Sequence, residues 1–269
     1  MLPHAKKSLG QNFLIDASVV KKIIEAARIQ KGERVLEIGP GTGLLTEALV
    51  AAGAQVIAIE LDHDLIQPLK EKFGDRIELI EGDVLSPSLN HSITQSFNHF
   101  SYKLIANIPY NITSQIIERF LSHEPRPTQM ILMVQKEVAD RILAKPPQMS
   151  LLSIVSQIYA ECSRVTNVKA GSFRPIPKVD SAVVKFDLGD QGVVAIEKTL
   201  HVATEKTIHL AKIGFSSPRK QLQNNLSGGL HRSSEEIKTA LESIGLNPKI
   251  RAEGLTVHDW ECLRDKLSL

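Results

Sequence analysis

Between Arg34 and Val134 the chain switches repeatedly between two hydrophobic periods. Short apolar runs at 34–38, 55–60, 77–81, 102–106 and 130–134 alternate with stretches at 44–52, 64–73 and 112–121 whose apolar residues recur at helical spacing. Such short runs, rich in Ile, Val and Leu, suit strands buried on both faces. A helix after most of them lets the chain return and lay the next strand parallel. The pattern predicts an α/β fold, a parallel sheet covered by helices on both sides. Ligands in such sheets sit beyond the carboxyl ends of the strands, near the switch in strand order. Glu37, Gly39, Glu60, Asp83 and Asn107 all fall at or near those ends.

The flanks extend the pattern. A helix over 17–28, capped by Asp16, puts Val19, Val20, Ile23, Ile24 and Ala27 on one face. Beyond Lys136 the spacing is helical through Leu143, breaks at Pro146-Pro147 and resumes over 151–161. Two strand-like runs follow at 164–168 and 181–187, and the second is expected to close the sheet, antiparallel. Residues 189–192 read as a linker; 194–213, 219–226, 234–244 and 257–267 are helical by spacing and caps. The expected organisation is a sheet domain over 1–190 and a small α-helical C-terminal domain over 191–269.

Of 269 residues, 42% are hydrophobic, enough to fill a real core. The net charge of +2 is too small to attract nucleic acid by itself, so any such contact must come from local patches. Cys162 and Cys262 lack a paired spacing, which suits a reducing compartment and points to neither a disulfide nor a metal site. No run reaches membrane-spanning length, and residues 1–16 hold no signal-peptide core. The expectation is a soluble cytoplasmic protein, monomeric, with no membrane or DNA partner.

Gly39, Gly41 and Gly43 follow the first strand and precede a helix, where they let the backbone pass close to a ligand. The spacing is GxGxG and departs from the GxGxxG of dinucleotide sites. Glu60 ends the second strand, where an acid would bridge ribose hydroxyls. Asp83, after Gly82, is placed to accept from an adenine amino group. Glu60 read alone could be a surface residue and Asp83 a turn former. Together with Glu37 they make a poor phosphate site and a good one for a cationic, phosphate-free nucleoside such as S-adenosylmethionine.

The turn Asn107-Ile108-Pro109-Tyr110 closes the run 102–106. Proline fixes its own φ and keeps Ile108 extended. The Asn107 side-chain oxygen and the Ile108 carbonyl can each accept from an amine, and Tyr110 offers a flat face to a ring. A capping asparagine in an ordinary strand-to-helix turn is the alternative.

Over about 7–257 the chain resembles the small-subunit ribosomal RNA adenine dimethyltransferases. The matching stretches are Gly10-Gln11-Asn12-Phe13-Leu14, Glu37-Ile38-Gly39-Pro40-Gly41-Thr42-Gly43, Glu60-Leu61-Asp62, Gly82-Asp83, Asn107-Ile108-Pro109-Tyr110, Gln135-Lys136-Glu137, and the run from Phe173-Arg174-Pro175 to Asp180-Ser181. The resemblance implies a Rossmann-like class I S-adenosylmethionine-dependent methyltransferase sheet. It also implies dimethylation of two adjacent adenosines near the 3′ end of small-subunit rRNA, within subunit biogenesis. By it Asn12 and Leu14 would contact the methionine end of the cofactor, Gly39 and Gly41 would form its binding loop, Glu60 would take the ribose and Asp83 the adenine. Asn107 would face cofactor and substrate, and Tyr110 and Phe173 would sandwich the extruded base. Beside two prolines, Phe173 could instead be loop packing. Lys6 and Lys7 on a mobile amino terminus, and Arg219 and Lys220 on the helical tail, are expected to meet RNA phosphate.

Other classes compete with this reading. A nicotinamide dehydrogenase would use the same sheet but gives Asn107 to Tyr110 no task. A non-catalytic RNA-binding assembly factor would share the RNA contacts. The large-subunit resistance methylases share the catalytic turn, although Gly245-Leu246-Asn247-Pro248 and Arg251-Ala252-Glu253 resemble the small-subunit family.

Overall fold

A computed structural model of the chain describes residues 3–87, 89, 93, 97, 100–189 and 198–269. The strands are β1 Phe13–Leu14, β2 Arg34–Ile38, β3 Gln55–Glu60, β4 Ile77–Glu81, β5 Tyr102–Asn107, β6 Gln129–Gln135, β7 Glu161–Val168, β8 Phe173–Arg174 and β9 Ser181–Asp187. Seven of them form one sheet in the order β4-β3-β2-β5-β6-β9-β7. The first five of that order run parallel, and β9 lies antiparallel to both β6 and β7. The strand order reverses between β2 and β5, so a crevice opens beyond their carboxyl ends.

The expected core strands and the helices between them form within a residue or two of the periodicity reading. Helix α1, Ala17–Ala27, is capped by the Asp16 carboxylate on Ser18 N–H; α2 is Leu44–Ala51, α3 His63–Phe73 and α4 Thr113–Ser122. One sheet face buries Val35, Val56, Ile105 and Ile131 against Val20 and Ile23 of α1 and Leu45 and Leu49 of α2. Each fully buried side chain of this kind contributes about 1.5 to 3 kcal/mol relative to exposure. At the amino end of β5, buried Lys103 donates to the Ala27 carbonyl at 2.8 Å and to Glu33 Oε2 at 2.9 Å, tying the end of α1 to the sheet.

Three expectations are corrected. The edge strand is β7, and β9 sits inside it; β7 also begins at Glu161, because its pairing with β9 runs the full length through a shift between Arg164 and Thr166. Phe13 and Leu14 pair with Arg174 and Phe173 in a separate two-stranded ribbon, β1 with β8. Among the described residues the amino-terminal segment is not loose. Besides this pairing, the Lys6 ammonium bonds Asp62 at 2.5 Å and Asp64 at 2.6 Å, and the Gln11 amide donates to Asp62 at 2.6 Å.

The chain divides into two compact units, Met1–Ala139 with Ala160–Val194, and Asp140–Tyr159 with Ala195–Leu269. Residues 140–159, which the periodicity assigns to the sheet domain, thus pack with the C-terminal helices. The reason is apolar: Met149 and Ile154 share a core with Leu210, Leu226, Ile237 and Trp260. Helix α5 is Lys136–Ile142 and α6 is Leu151–Tyr159; α7 is Lys198–Gly214, α8 Leu222–Leu230, α9 Ser234–Ser243 and α10 Val257–Lys266. Helix α8 starts later than the spacing predicts, so Arg219 and Lys220 lie in the preceding turn, exposed, and not on a helix. The expected linker beyond Gly189 and the helix start at Val194 lie outside the described residues. No helix among the described residues is long and apolar enough to cross a membrane.

Candidate active site

One pocket gathers Asn12, Leu14, Gly39, Gly41, Glu60, Asp83, Asn107 and Tyr110 at the carboxyl ends of β2 to β5. Its floor is the glycine turn. The Gly39 N–H donates to the Ile59 carbonyl at 2.9 Å, locking the turn to β3, and the Gly41 N–H donates to Glu60 Oε2 at 3.1 Å. A Cβ on Gly39 would meet no protein atom, so the space above it is left for a ligand. At Gly43, with φ of +76°, a Cβ would lie 2.5 Å from Phe73, so α2 can start there only on glycine.

Glu60 is buried and braces two loops, since its Oε1 also accepts from Asp62 N–H at 2.9 Å. Burial raises its pKa against these bonds. Glu37, which the sequence places at its strand end without an individual role, lines the same pocket at 1% exposure. Burial pushes its carboxyl up to about 8, with Thr46 pulling down and the nearby Glu60 charge adding to the rise. Its Oε2 has no hydrogen-bond partner among the described residues. A buried oxygen without a partner, on a residue that lines the pocket, suits a donor from the ligand. Asp83 is exposed at the rim, with Oδ1 accepting from Leu85 N–H at 2.9 Å. The described lining contains these three acids and no Lys, Arg or His. A pyrophosphate would find no cation there; a cation finds three partners.

The amino-terminal segment forms the opposite wall. The Asn107 amide N–H donates to the Asn12 carbonyl at 3.1 Å, and the Asn12 amide donates to Gly10 O at 3.2 Å. Holding the Asn107 nitrogen in this way leaves its side-chain oxygen as the acceptor. Behind the segment, Asp62 receives Lys6 and Gln11; burial opposes its ionisation, but these partners outweigh it and lower its pKa. The Tyr110 hydroxyl lies 2.6 Å from Ser181 Oγ, and burial raises the phenol pKa. This fixes the ring at the pocket.

Five expected site residues are elsewhere. Phe173 is 0% exposed, does not line the pocket and packs in the sheet core opposite Leu14, so it presents no face to a base here. Lys6 is engaged by two carboxylates, while Lys7 stays exposed in a short 3-10 turn, Lys7–Leu9. Arg219 and Lys220 belong to the second unit. Among the described residues no group of three or more His, Cys, Asp or Glu could hold a metal ion.

The comparisons agree with this chemistry. The family model described as ribosomal RNA adenine dimethylase matches residues 3–266. Similar relatives include ribosomal RNA small subunit methyltransferase A of Dehalococcoides mccartyi, 39% identical over 97% of this chain and 87% of that one. The protein of the same name from Acaryochloris marina is 37% identical over 99% and 98%. Among solved structures, a dimethyladenosine transferase from Plasmodium falciparum matches with a TM-score of 0.77 at 28% identity, covering 95% of this chain and 97% of that one. The 23S rRNA methyltransferase ErmE matches with a TM-score of 0.73 at 26% identity, covering 96% and 100%. A pocket with three acids beside an acceptor amide, on a sheet of this order and in a chain matched almost end to end, has one consistent assignment: the chain belongs to the ribosomal RNA adenine dimethylase family.

Proposed function

We propose that this enzyme dimethylates the exocyclic amino groups of two adjacent adenosines near the 3′ end of small-subunit rRNA, acting on the small ribosomal subunit in the cytoplasm as a monomer. S-adenosylmethionine is the cofactor, and when bound it supplies a methyl group on a sulfonium. The fit rests on this chain's own groups: the open acceptor of Glu37, the acidic lining without a cation, and the space above Gly39.

An adenine amino nitrogen is a weak nucleophile because its lone pair is delocalised into the ring. Acceptance of its two hydrogens by Asn107 Oδ1 and the Ile108 carbonyl lets the nitrogen pyramidalise and aim the lone pair. Such positioning supplies roughly 7 to 11 kcal/mol of the barrier in well-oriented systems, and no general base is needed. Tyr110, anchored through Ser181, gives the extruded ring a face worth about 1 to 3 kcal/mol. Phe173, placed behind Leu14, supports that wall in this arrangement. Lys7, Arg219 and Lys220 remain exposed for RNA phosphate.

The observation that carries the reading is the Asn107 amide, whose nitrogen is held by Asn12 while its oxygen is left to accept. The small-subunit relatives, at 37% and 39% identity over nearly the whole chain, favour this substrate over the large-subunit RNA of ErmE. The test is methyl transfer to small subunits from cells lacking the protein, read by mass spectrometry of digested rRNA. Asn107→Ala should keep cofactor affinity within a few-fold and lower the transfer rate on the order of 100-fold. A parental protein that binds RNA and cofactor without transfer would make it an assembly factor. One that modifies only large-subunit RNA would move it to the resistance methylases.

A further inference from the structure

The segment between β8 and β9 starts and ends at the pocket. Phe173 and Arg174 pair with Leu14 and Phe13, both lining residues, and Ser181 holds the Tyr110 hydroxyl. Just before Ser181, the Asp180 carboxylate accepts from Ala170 N–H at 3.0 Å and bonds Lys169 at 2.9 Å. Between these fixed ends Pro175 and Pro177 flank Ile176, whose 61% exposure is the highest of any large apolar side chain among the described residues. Val179, beyond it, is exposed too, and Arg174 and Lys178 stand exposed on either side. Two prolines remove the freedom that would let the isoleucine fold back onto the sheet. Cations on both sides suit a phosphate backbone running past it.

We propose that Ile176 is an apolar wedge that enters the rRNA base stack beside the target adenosine and fills the gap left when that base turns out toward Asn107. Extruding a base costs its stacking, and an apolar side chain that takes the vacated place offsets part of that cost. Ile176 is then a positioning residue: it touches neither cofactor nor the reacting nitrogen. The inference rests on the adenosine-methylating reading above.

The test uses the full-length protein and unmethylated small subunits carrying 2-aminopurine at one of the two target adenosines, whose fluorescence rises on unstacking. Ile176→Ser should lose most of that rise and lower kcat/KM on unlabelled subunits about tenfold or more, with cofactor Kd unchanged. Ile176→Leu should restore both readouts. Parental fluorescence and kinetics in Ile176→Ser would overturn the wedge, as would Ile176→Leu behaving like the serine variant. A parental protein that transfers no methyl group would overturn the reading beneath it, and this is seen before any variant is made.

Discussion

The hydroxyls of Tyr110 and Ser181 lie 2.6 Å apart, fastening the turn after β5 to the first residue of β9 across a gap of 71 residues in sequence. A ring anchored at its far end cannot swing, so the plane it presents at the pocket is fixed by the fold. Tyr110→Phe should keep the ring but lower methyl transfer by about 3- to 10-fold and stability by about 1 kcal/mol, the usual net worth of one such bond. Ser181→Ala should match it, and the double variant should be no worse than either single one. Additive losses in steady-state assays and urea melts would show that the two hydroxyls act separately.

Glu37 makes the cofactor-free protein sensitive to pH. Its carboxyl holds a proton in the folded chain up to about 8, while in the unfolded chain it has lost that proton above its ordinary 4.5. Stability from this group is therefore full below 4.5 and lost as pH rises toward 8. Glu60, also raised by burial, adds a slope of the same sign. Glu37→Gln should flatten much of the decline in denaturation midpoint across that window. A cationic ligand favours the carboxylate, so cofactor should bind more tightly as pH approaches 8 and release protons on binding. Calorimetry in buffers of different ionisation enthalpy reads this directly; equal proton release by Glu37→Gln would exclude the residue.

Gly43 combines a left-handed backbone with a neighbour at 2.5 Å, whereas Gly32, also left-handed at φ of +82°, faces open space. Gly32→Ala should cost about 1 kcal/mol of strain, and Gly43→Ala about 2 to 4 kcal/mol because Phe73 must also move. Equal losses in urea denaturation would mean that Phe73 yields freely.

Replacing Arg219 and Lys220 by alanine should flatten the slope of log affinity for small subunits against log salt by roughly 1.4 to 1.8 units. Lys6→Ala should behave differently, because Asp62 and Asp64 already neutralise that ammonium. It should loosen the wall carrying Gln11 and Asn12 and weaken cofactor binding, leaving the salt slope nearly intact. A slope change for Lys6→Ala as large as that of one of the other two cations would make Lys6 an RNA contact after all.

Local chemistry explains what was legible in the sequence. Strand and helix periods fix which residues stand at strand ends, so Glu60, Asp83 and Asn107 could be placed around one pocket from spacing alone. The ribbon of β1 with β8 is two residues long on each side and leaves no periodic trace. Its pairing is also what buries Phe173 against Leu14, so a residue that reads as a base-stacking ring becomes core. The order β9 before β7 is a choice of pairing partner, which alternation within a single strand does not encode. Glu37 was visible at its strand end, but only its burial beside an unfilled acceptor position gives it a task. Lys6 reads as a free cation for RNA phosphate because the carboxylates that engage it lie 56 and 58 residues away in sequence.

The path of the chain between the two units limits how the protein can be shortened. It leaves the sheet unit after Ala139, returns at Ala160 and leaves again after Val194. Ending translation at 190 would therefore not free a self-sufficient catalytic half. It would strand α6, with Ile154 and Met149 deprived of Leu210, Leu226 and Trp260, as a greasy appendage prone to self-association. Topologically the second unit is an insertion and an extension at once, so a gene that loses its 3′ portion also uncovers the apolar face of the inserted part.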